Sequence, residues 1–315
     1  MLEKISQVKR QGKKFHWNIL PFFILKRVSI KKYYQKSRDN LNQDFELKKL
    51  GQIKYFNCRE LEDTNLVMNA FTTRFSGVSE SPFDNLNLAY NIGDKVSCVT
   101  KNRKIILDVL NIDYRNTVSA QQVHKDRIAL IRKEDKGKGA FKYSNGIAET
   151  DALITDIPGI ALLMCYADCV PVFILDPIKK VIALIHSGRR GTELELVLKT
   201  LFKMKKIFET NPHSCLVAIF PSIGPCCYHM KEENKIDDYW LNEDKYNGEA
   251  ISKQNKSGRS LDLKKANYYQ LIKAGVPGGN IFINEICTAD HPELFFSYRR
   301  DKGNTGRMAA IFMLK

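Results

Sequence analysis

Three residues of this chain have side chains able to hold a soft metal ion: His124 in QQVHKD, Cys169 in YADCVPVFILD and His186 in VIALIHSGRRGT. Two imidazoles and a thiolate suit Zn²⁺, with copper as the other candidate. Three protein ligands leave a fourth position open, as in catalytic zinc sites. Water bound there is acidified to about pKa 7 and becomes a nucleophile at neutral pH. Spacing by itself is weak support, because 44 residues separate His124 from Cys169 and 16 separate Cys169 from His186. A cysteine among apolar residues is also read as a small buried hydrophobe. Cys169 with a histidine as base also describes the nucleophilic pair of a Cys-His hydrolase, which needs only one of the two histidines.

Elements that place these residues follow from the patterning. DALIT, GIALLMCY, PVFILD and VIALIH are short, continuous apolar runs, as expected of strands covered on both faces. Cys169 and His186 then stand at the tips of a strand–turn–strand unit. Thr117–Ile131 alternates as one strand, with His124 near its middle. Val99–Ile112 reads as a helix with Ile105, Ile106, Val109 and Leu110 on one side. Arg189–Phe208 reads as a single helix capped by Thr192, and Asp262–Gly275 as another that stops at glycine. Further strands are expected at Phe71, Leu216 and NIFINEI, and on both sides of an Arg/Gly loop in Phe296–Leu314. Lys231–Ser260 is charged and reads as partly loop. No repeat of 20–50 residues is present. The expectation is one α/β (α+β) domain with mixed sheets over residues 51–315.

The net charge of +15 is unevenly spread. Residues 1–50 hold 13 Lys/Arg and 4 Asp/Glu, a net of 13 − 4 = +9, which leaves 15 − 9 = +6 for the rest. The basic character therefore belongs largely to an N-terminal extension, expected to be poorly ordered. Within it Phe15–Leu25 is apolar, interrupted by Pro21, and too short to span a bilayer. A peripheral membrane or partner-docking arm is the other reading of that segment. No zinc-finger, RRM or helix-turn-helix signature is present, so nucleic acid is not an expected partner. The eight cysteines include no C-x-x-C pair, which suits a reduced, cytoplasmic protein.

The segments QQVHKD, ETDALITDIPGIALLMCYADCVPVFILDP, VIALIHSGRRGT, SIGPCCY and FFSYRRDKGNTGR occur in one order. Together they resemble the YfiH family, the laccase-domain or polyphenol-oxidase-like proteins. FTTRFSGVSE with DNLNLAYNIGD resembles that family's N-terminal signature, so the likeness runs from about Tyr55 to Leu314. It implies a layered α/β/β/α fold and one zinc or copper ion on His124, Cys169 and His186. It also implies phosphorolysis of adenosine, inosine or guanosine to base and ribose 1-phosphate, with adenosine deamination and methylthioadenosine cleavage as further activities. Purine nucleosides and phosphate are thus the expected partners. Laccase chemistry moves four electrons to O₂ and needs several coppers, which one two-histidine, one-cysteine site does not supply. The chain departs from the family pattern at Lys125 (usually Gly), Arg189 (usually Trp) and His229 (usually Glu). Arg189 removes an aromatic surface expected beside the metal, and substrate preference depends on it.

Roles for other residues follow from the implied chemistry. Asp168 is a candidate acid/base, or else orients a ligand through a hydrogen bond. Arg103 in KNRK matches the family's Asn-Arg element and is the first candidate for phosphate; Arg74 is the second, and Arg300 and Arg307 follow. Asn87 and Gln122 are candidates for base or ribose. The bland alternatives are surface salt bridges for the arginines, a turn side chain for Asn87 and a strand-end polar residue for Gln122. Two rival functions stay open: a Cys169 hydrolase or deamidase, since the family fold resembles a toxin deamidase domain, and a non-enzymatic metal-binding or docking protein.

Overall fold

A strand with no polar face must be covered on both sides, and four such strands in one chain force a layered arrangement. The computed structural model describes residues 44–230, 238–242, 252–255 and 258–315. One six-stranded sheet runs in the order β1 (Phe45–Leu50), β2 (Ile53–Cys58), β3 (Val67–Thr72), β15 (Met308–Leu314), β7 (Ala161–Tyr166), β4 (Thr117–Ser119). The other runs β14 (Ile281–Ile283), β10 (Leu216–Ile219), β8 (Val170–Asp176), β9 (Val181–Ser187), β6 (Ala152–Thr155), β5 (Ile128–Leu130). Both mix parallel and antiparallel pairs: β4 lies parallel to β7 and β5 to β6, whereas β8 and β9 are antiparallel. A small sheet of β11 (His229–Met230), β13 (Gly258–Leu261) and β12 (Ser252–Asn255) stands apart from them in pairing.

Alternation assigns each face of a strand to a different core. On β8, Phe173 and Leu175 point between the two large sheets, whereas Val170, Val172 and Ile174 point to the opposite side. The space between the sheets is aromatic: Phe173 lies 4.4 Å from Phe220 and 4.9 Å from Phe312, ring centre to ring centre. The outer face of the first sheet packs on α1 (Val96–Val109) through Ile106 and Leu107. The outer face of the second packs on α3 (Leu196–Phe208) and α4 (Leu263–Lys273), which follow the short α2 (Arg189–Glu193). The layers are thus α/β/β/α, as the resemblance implies.

Several local expectations change. Thr117–Ile131 is two strands in two different sheets, and His124 sits in the turn that crosses between them, with φ +58°. An alternating pattern does not reveal that the chain changes sheets. Arg189–Phe208 is broken at Glu195, which adopts φ +55°. Thr192 does not cap α3; its hydroxyl donates to the Gly188 carbonyl one turn back within α2. Phe296–Tyr298 is loop, and only Met308–Leu314 of that region forms a strand. The α4 expectation holds: the Asp262 carboxylate accepts from Lys265 N, and Gly275 with φ +98° follows the helix end. β1 pairs with β2 from Phe45 onward, so regular structure begins ahead of residue 51. The remainder of the basic extension, with Phe15–Leu25, lies outside the described residues, as does most of the stretch 231–251.

Phe173 tests the inter-sheet core. Phe173→Ala removes a fully buried ring between the sheets and is expected to cost about 3–5 kcal/mol in urea unfolding; a loss under about 1 kcal/mol would contradict this packing.

Candidate metal centre and substrate cleft

Cys169 directly precedes β8, and His186 is the next-to-last residue of β9. Antiparallel pairing sets Val170 opposite Ser187 and Pro171 opposite His186, so Cys169 and His186, both candidate ligands, share one edge of the sheet. His124 arrives from the sheet-crossing turn. Ligand atoms of all three lie within 4.8 Å of one another, and the two imidazoles meet edge to face at 4.8 Å. Gly188 makes room for this: a Cβ there would lie 2.6 Å from the Cys169 sulfur and 3.6 Å from His124 Cδ2. Any side chain at 188 would push into the cluster.

Asp151 organises the centre, and it was not singled out from the sequence. It lies at the start of β6, fully buried. Its Oδ1 lies 2.8 Å from His186 Nδ1 and accepts from His124 N at 3.1 Å. Its Oδ2 accepts from Val123 N at 3.2 Å and Lys125 N at 2.9 Å. Its backbone carbonyl also accepts from His186 N. One carboxylate therefore orients the His186 ring, leaving Nε2 for the cluster, and ties down the turn that carries His124. Burial pushes the Asp151 carboxyl up, but the hydrogen bond and charge of His186, with the backbone amides, hold it below the usual range. Burial also pushes the Cys169 thiol up, yet the His186 charge and hydrogen bonds from both histidines bring it down to about 6. Burial lowers His186, and the charges and hydrogen bonds of Cys169 and Asp151 raise it to about 10. The centre thus favours a thiolate, the form that binds metal. A carboxylate directly before a short, fully buried strand was the available signal, since burying it requires several donors.

A cleft of about 450 Å³ opens on this centre, within the range typical of small-molecule sites. Beside the three ligands its walls hold Gln122, Tyr228, Tyr298, Arg299 and Arg307. Arg299 lies over the Tyr228 ring at 4.5 Å and Arg307 over Tyr298 at 5.4 Å. Arg299 donates to the His229 carbonyl, and Arg307 to the carbonyls of Thr305 and Gly306. Neither forms an ion pair among the described residues. Gln122 pairs its amide with both backbone groups of Cys165, the strand-end role, while still lining the cleft.

Other expected residues lie in structural roles. Arg103 is buried, donates to the carbonyls of Leu88, Gly139 and Ala140, and lines a small cavity that shares Gln122 and Cys165 with the cleft. Arg74 donates to Asp84 and Pro292 and covers the Phe296 ring. Arg300 is held by Asp301 and the carbonyls of Thr288 and Phe295. Asn87 is fully buried, bonded to Ala89, Asp94 and the Arg307 backbone amide. Asp168 lines the cleft, but its carboxylate accepts from Thr288, Ser297 and Arg299 N, so it anchors loops and bonds neither histidine ligand. Arg189 pairs with Glu193, which also accepts from the Trp240 indole, and is not part of the cleft lining. Arg299, not singled out from the sequence, lines the cleft, whereas its neighbour Arg300 carries the same charge in the same loop and does not.

Fold and site together define a four-layer α/β/β/α protein with a two-histidine, one-cysteine centre at a sheet edge. The chain belongs to the YfiH family: residues 68–315 match the family model described as multi-copper polyphenol oxidoreductase laccase. It is 34% identical over 249 residues to a Bacillus subtilis protein named purine nucleoside phosphorylase YlmD, covering 79% of this chain and 89% of that one. A Geobacillus stearothermophilus protein of the same name is 35% identical over 240 residues, covering 76% and 87%. Among solved structures, Bacillus licheniformis hypothetical protein YfiH matches with TM-score 0.80 and 35% identity, covering 87% of this chain and all of that one. YlmD from Geobacillus stearothermophilus matches with TM-score 0.79 and 32% identity, covering 85% and 98%. No helix among the described residues is long and apolar enough to cross a membrane.

Replacing Asp151 tests its role. Asp151→Asn keeps the size but weakens the hold on His186 and the turn, and is expected to lower Zn²⁺ affinity about 10–100-fold in a competition titration. Unchanged affinity would remove Asp151 from the account.

Proposed function

We propose that the chain is a metal-dependent purine nucleoside phosphorylase, converting adenosine, inosine or guanosine with phosphate to the free base and ribose 1-phosphate. The observation that carries this reading is one cleft that joins a His124–Cys169–His186 centre to two arginines that form no ion pair among the described residues. The names of the relatives point the same way. Burial disfavours the charged form of Arg307, so an anionic ligand would relieve a desolvated cation. Arg299 and Arg307 are proposed to bind phosphate, in place of Arg103 and Arg74. Tyr228 and Tyr298 offer aromatic surface to the purine, and Gln122 keeps one amide hydrogen for ribose or base. Asp168 acts as a positioning residue for the loop that carries Arg299.

Zn²⁺ fits the donor set, with Cu²⁺ as the alternative; when bound, it supplies a Lewis acid that polarises the oxygen or nitrogen it contacts. The residues that would hold the ion sit on ordered backbone: His186 is oriented by Asp151 and paired with Pro171, and Cys169 directly precedes the paired strand β8. Adenosine deamination, in which water enters and ammonia leaves, is the proposed secondary activity, and methylthioadenosine is a further substrate. The cytoplasm is the proposed location.

A second reading rests on one geometric fact. Cys169, His186 and Asp151 form a nucleophile–base–orienter series, with a thiol at about 6. A Cys-His hydrolase would use that series without His124 and without metal.

Adenosine incubated with Zn²⁺-loaded protein, with and without phosphate, separates these readings by product chromatography. Adenine and ribose 1-phosphate are expected only with phosphate, and His124→Ala, Cys169→Ala and His186→Ala are each expected to lose at least about 100-fold in turnover. Full turnover in His124→Ala, or adenine release that ignores phosphate, would contradict the phosphorylase. Arg307→Gln is expected to raise the KM for phosphate about ten- to a hundredfold; an unchanged KM would remove Arg307 from the phosphate site.

A further inference from the structure

A second cluster of soft ligands lies outside the centre just described and shares no residue with it. Cys226 and Cys227 stand in the turn after β10, and Cys287 and Asp290 in the segment after β14. Their ligand atoms all lie within 4.8 Å of one another. The Asp290 carboxylate accepts from Cys226 Sγ at 3.0 Å through Oδ2 and from Cys227 Sγ at 2.8 Å through Oδ1. The Cys287 sulfur accepts from Gly224 N at 3.2 Å. The backbone holds the two segments in register, with Ser222 bridged to Cys287 and Thr288 N donating to the Ser222 carbonyl.

We infer that Cys226, Cys227, Cys287 and Asp290 form a second metal site, closed by four protein ligands and selective for a thiophilic divalent cation such as Zn²⁺. Three sulfurs and one carboxylate oxygen are a zinc donor set, and four ligands leave no open position, so the ion holds structure and does not meet substrate. Tetrahedral Zn–S bonds of about 2.3 Å put sulfurs about 3.8 Å apart, which the cluster reaches with small shifts. Gly224 is the backing of this cluster: a Cβ there would lie 3.1 Å from the Cys226 sulfur and 3.3 Å from Cys287 Cβ.

Charge balance supports the assignment. One Zn²⁺ with three thiolates and one carboxylate carries 2 − 3 − 1 = −2. Lys264 is fully buried nearby, donates to the carbonyls of Asn284 and Ile286, lies 4.0 Å from the Glu285 carboxylate, and also interacts electrostatically with Cys287 and Cys226. Its ammonium offsets part of that charge. Burial, then hydrogen bonding to Asp290, raises the Cys226 thiol to about 12 and moves Cys227 the same way.

The site has a consequence for the cleft. Cys227 precedes Tyr228, a cleft wall. Cys287 precedes Thr288, whose hydroxyl donates to Asp168 beside Cys169. An ion here clamps the aromatic wall to the loop anchor behind the first centre.

Zinc stoichiometry tests this. The full chain is loaded with excess Zn²⁺, dialysed against metal-free buffer and assayed for metal and protein. Two equivalents are expected for the wild type and one for His124→Ala/Cys169→Ala. Cys226→Ser changes an exposed residue and is expected to leave only the equivalent at the first centre, whose retention shows that the variant is folded. Co²⁺ bound to His124→Ala/Cys169→Ala should show strong sulfur-to-cobalt charge-transfer absorption, lost on adding Cys226→Ser. The inference is overturned if His124→Ala/Cys169→Ala binds no zinc, or if its zinc persists after Cys226→Ser. A wild type that binds one zinc, lost with Cys226→Ser and kept in His124→Ala/Cys169→Ala, would support the second site while removing the first.

Discussion

The Asp151 carboxylate is the interaction on which the centre depends. It connects a strand residue, His186, with a turn residue, His124, that arrives from a different sheet. A buried carboxylate is costly without partners. Here both oxygens are satisfied, and the donors that satisfy it are those that place the ligands. Stability of the carboxylate and geometry of the centre are thus one requirement.

The two large sheets give this anchor a rigid base. Paired strands fix Cys169 and His186, and the aromatic layer between the sheets keeps that edge from moving. The cleft walls are built differently. Tyr298, Arg299 and Arg307 lie on loop or loop-flanking backbone, tied down by Asp168 and Asn87. A second buried carboxylate thus serves the walls as Asp151 serves the ligands. Arg189 stands outside the cleft lining and shares Glu193 with Trp240 at the head of α2. The family's copper-oxidase description and the relatives' phosphorylase names differ in chemistry.

Much of the frame was legible in the sequence because burial leaves a composition signal. Continuous apolar runs gave β6 to β9, and Asp262 with Gly275 marked α4. The three candidate ligands stood out by type, and the family resemblance ordered them. Less legible were features that depend on where a polar group's partners lie. Arg103 and Arg307 look alike in sequence; one spends its donors on loop carbonyls, whereas the other retains donors at the cleft. His124 read as mid-strand because alternation continues through a turn that a distant carboxylate holds. The helix break at Glu195 likewise reflects packing, where Gln270 donates to the Thr192 carbonyl from α4.

Histidine nitrogen NMR on isotope-labelled protein, titrated with Zn²⁺, tests the central claim most directly. If Asp151 fixes the centre, His186 keeps its proton on Nδ1 while Nε2 loses its proton and shifts to the metal-bound position, and Asp151→Asn needs more Zn²⁺ for the same change. A zinc-loaded protein whose His186 retains a proton on Nε2 would contradict the account.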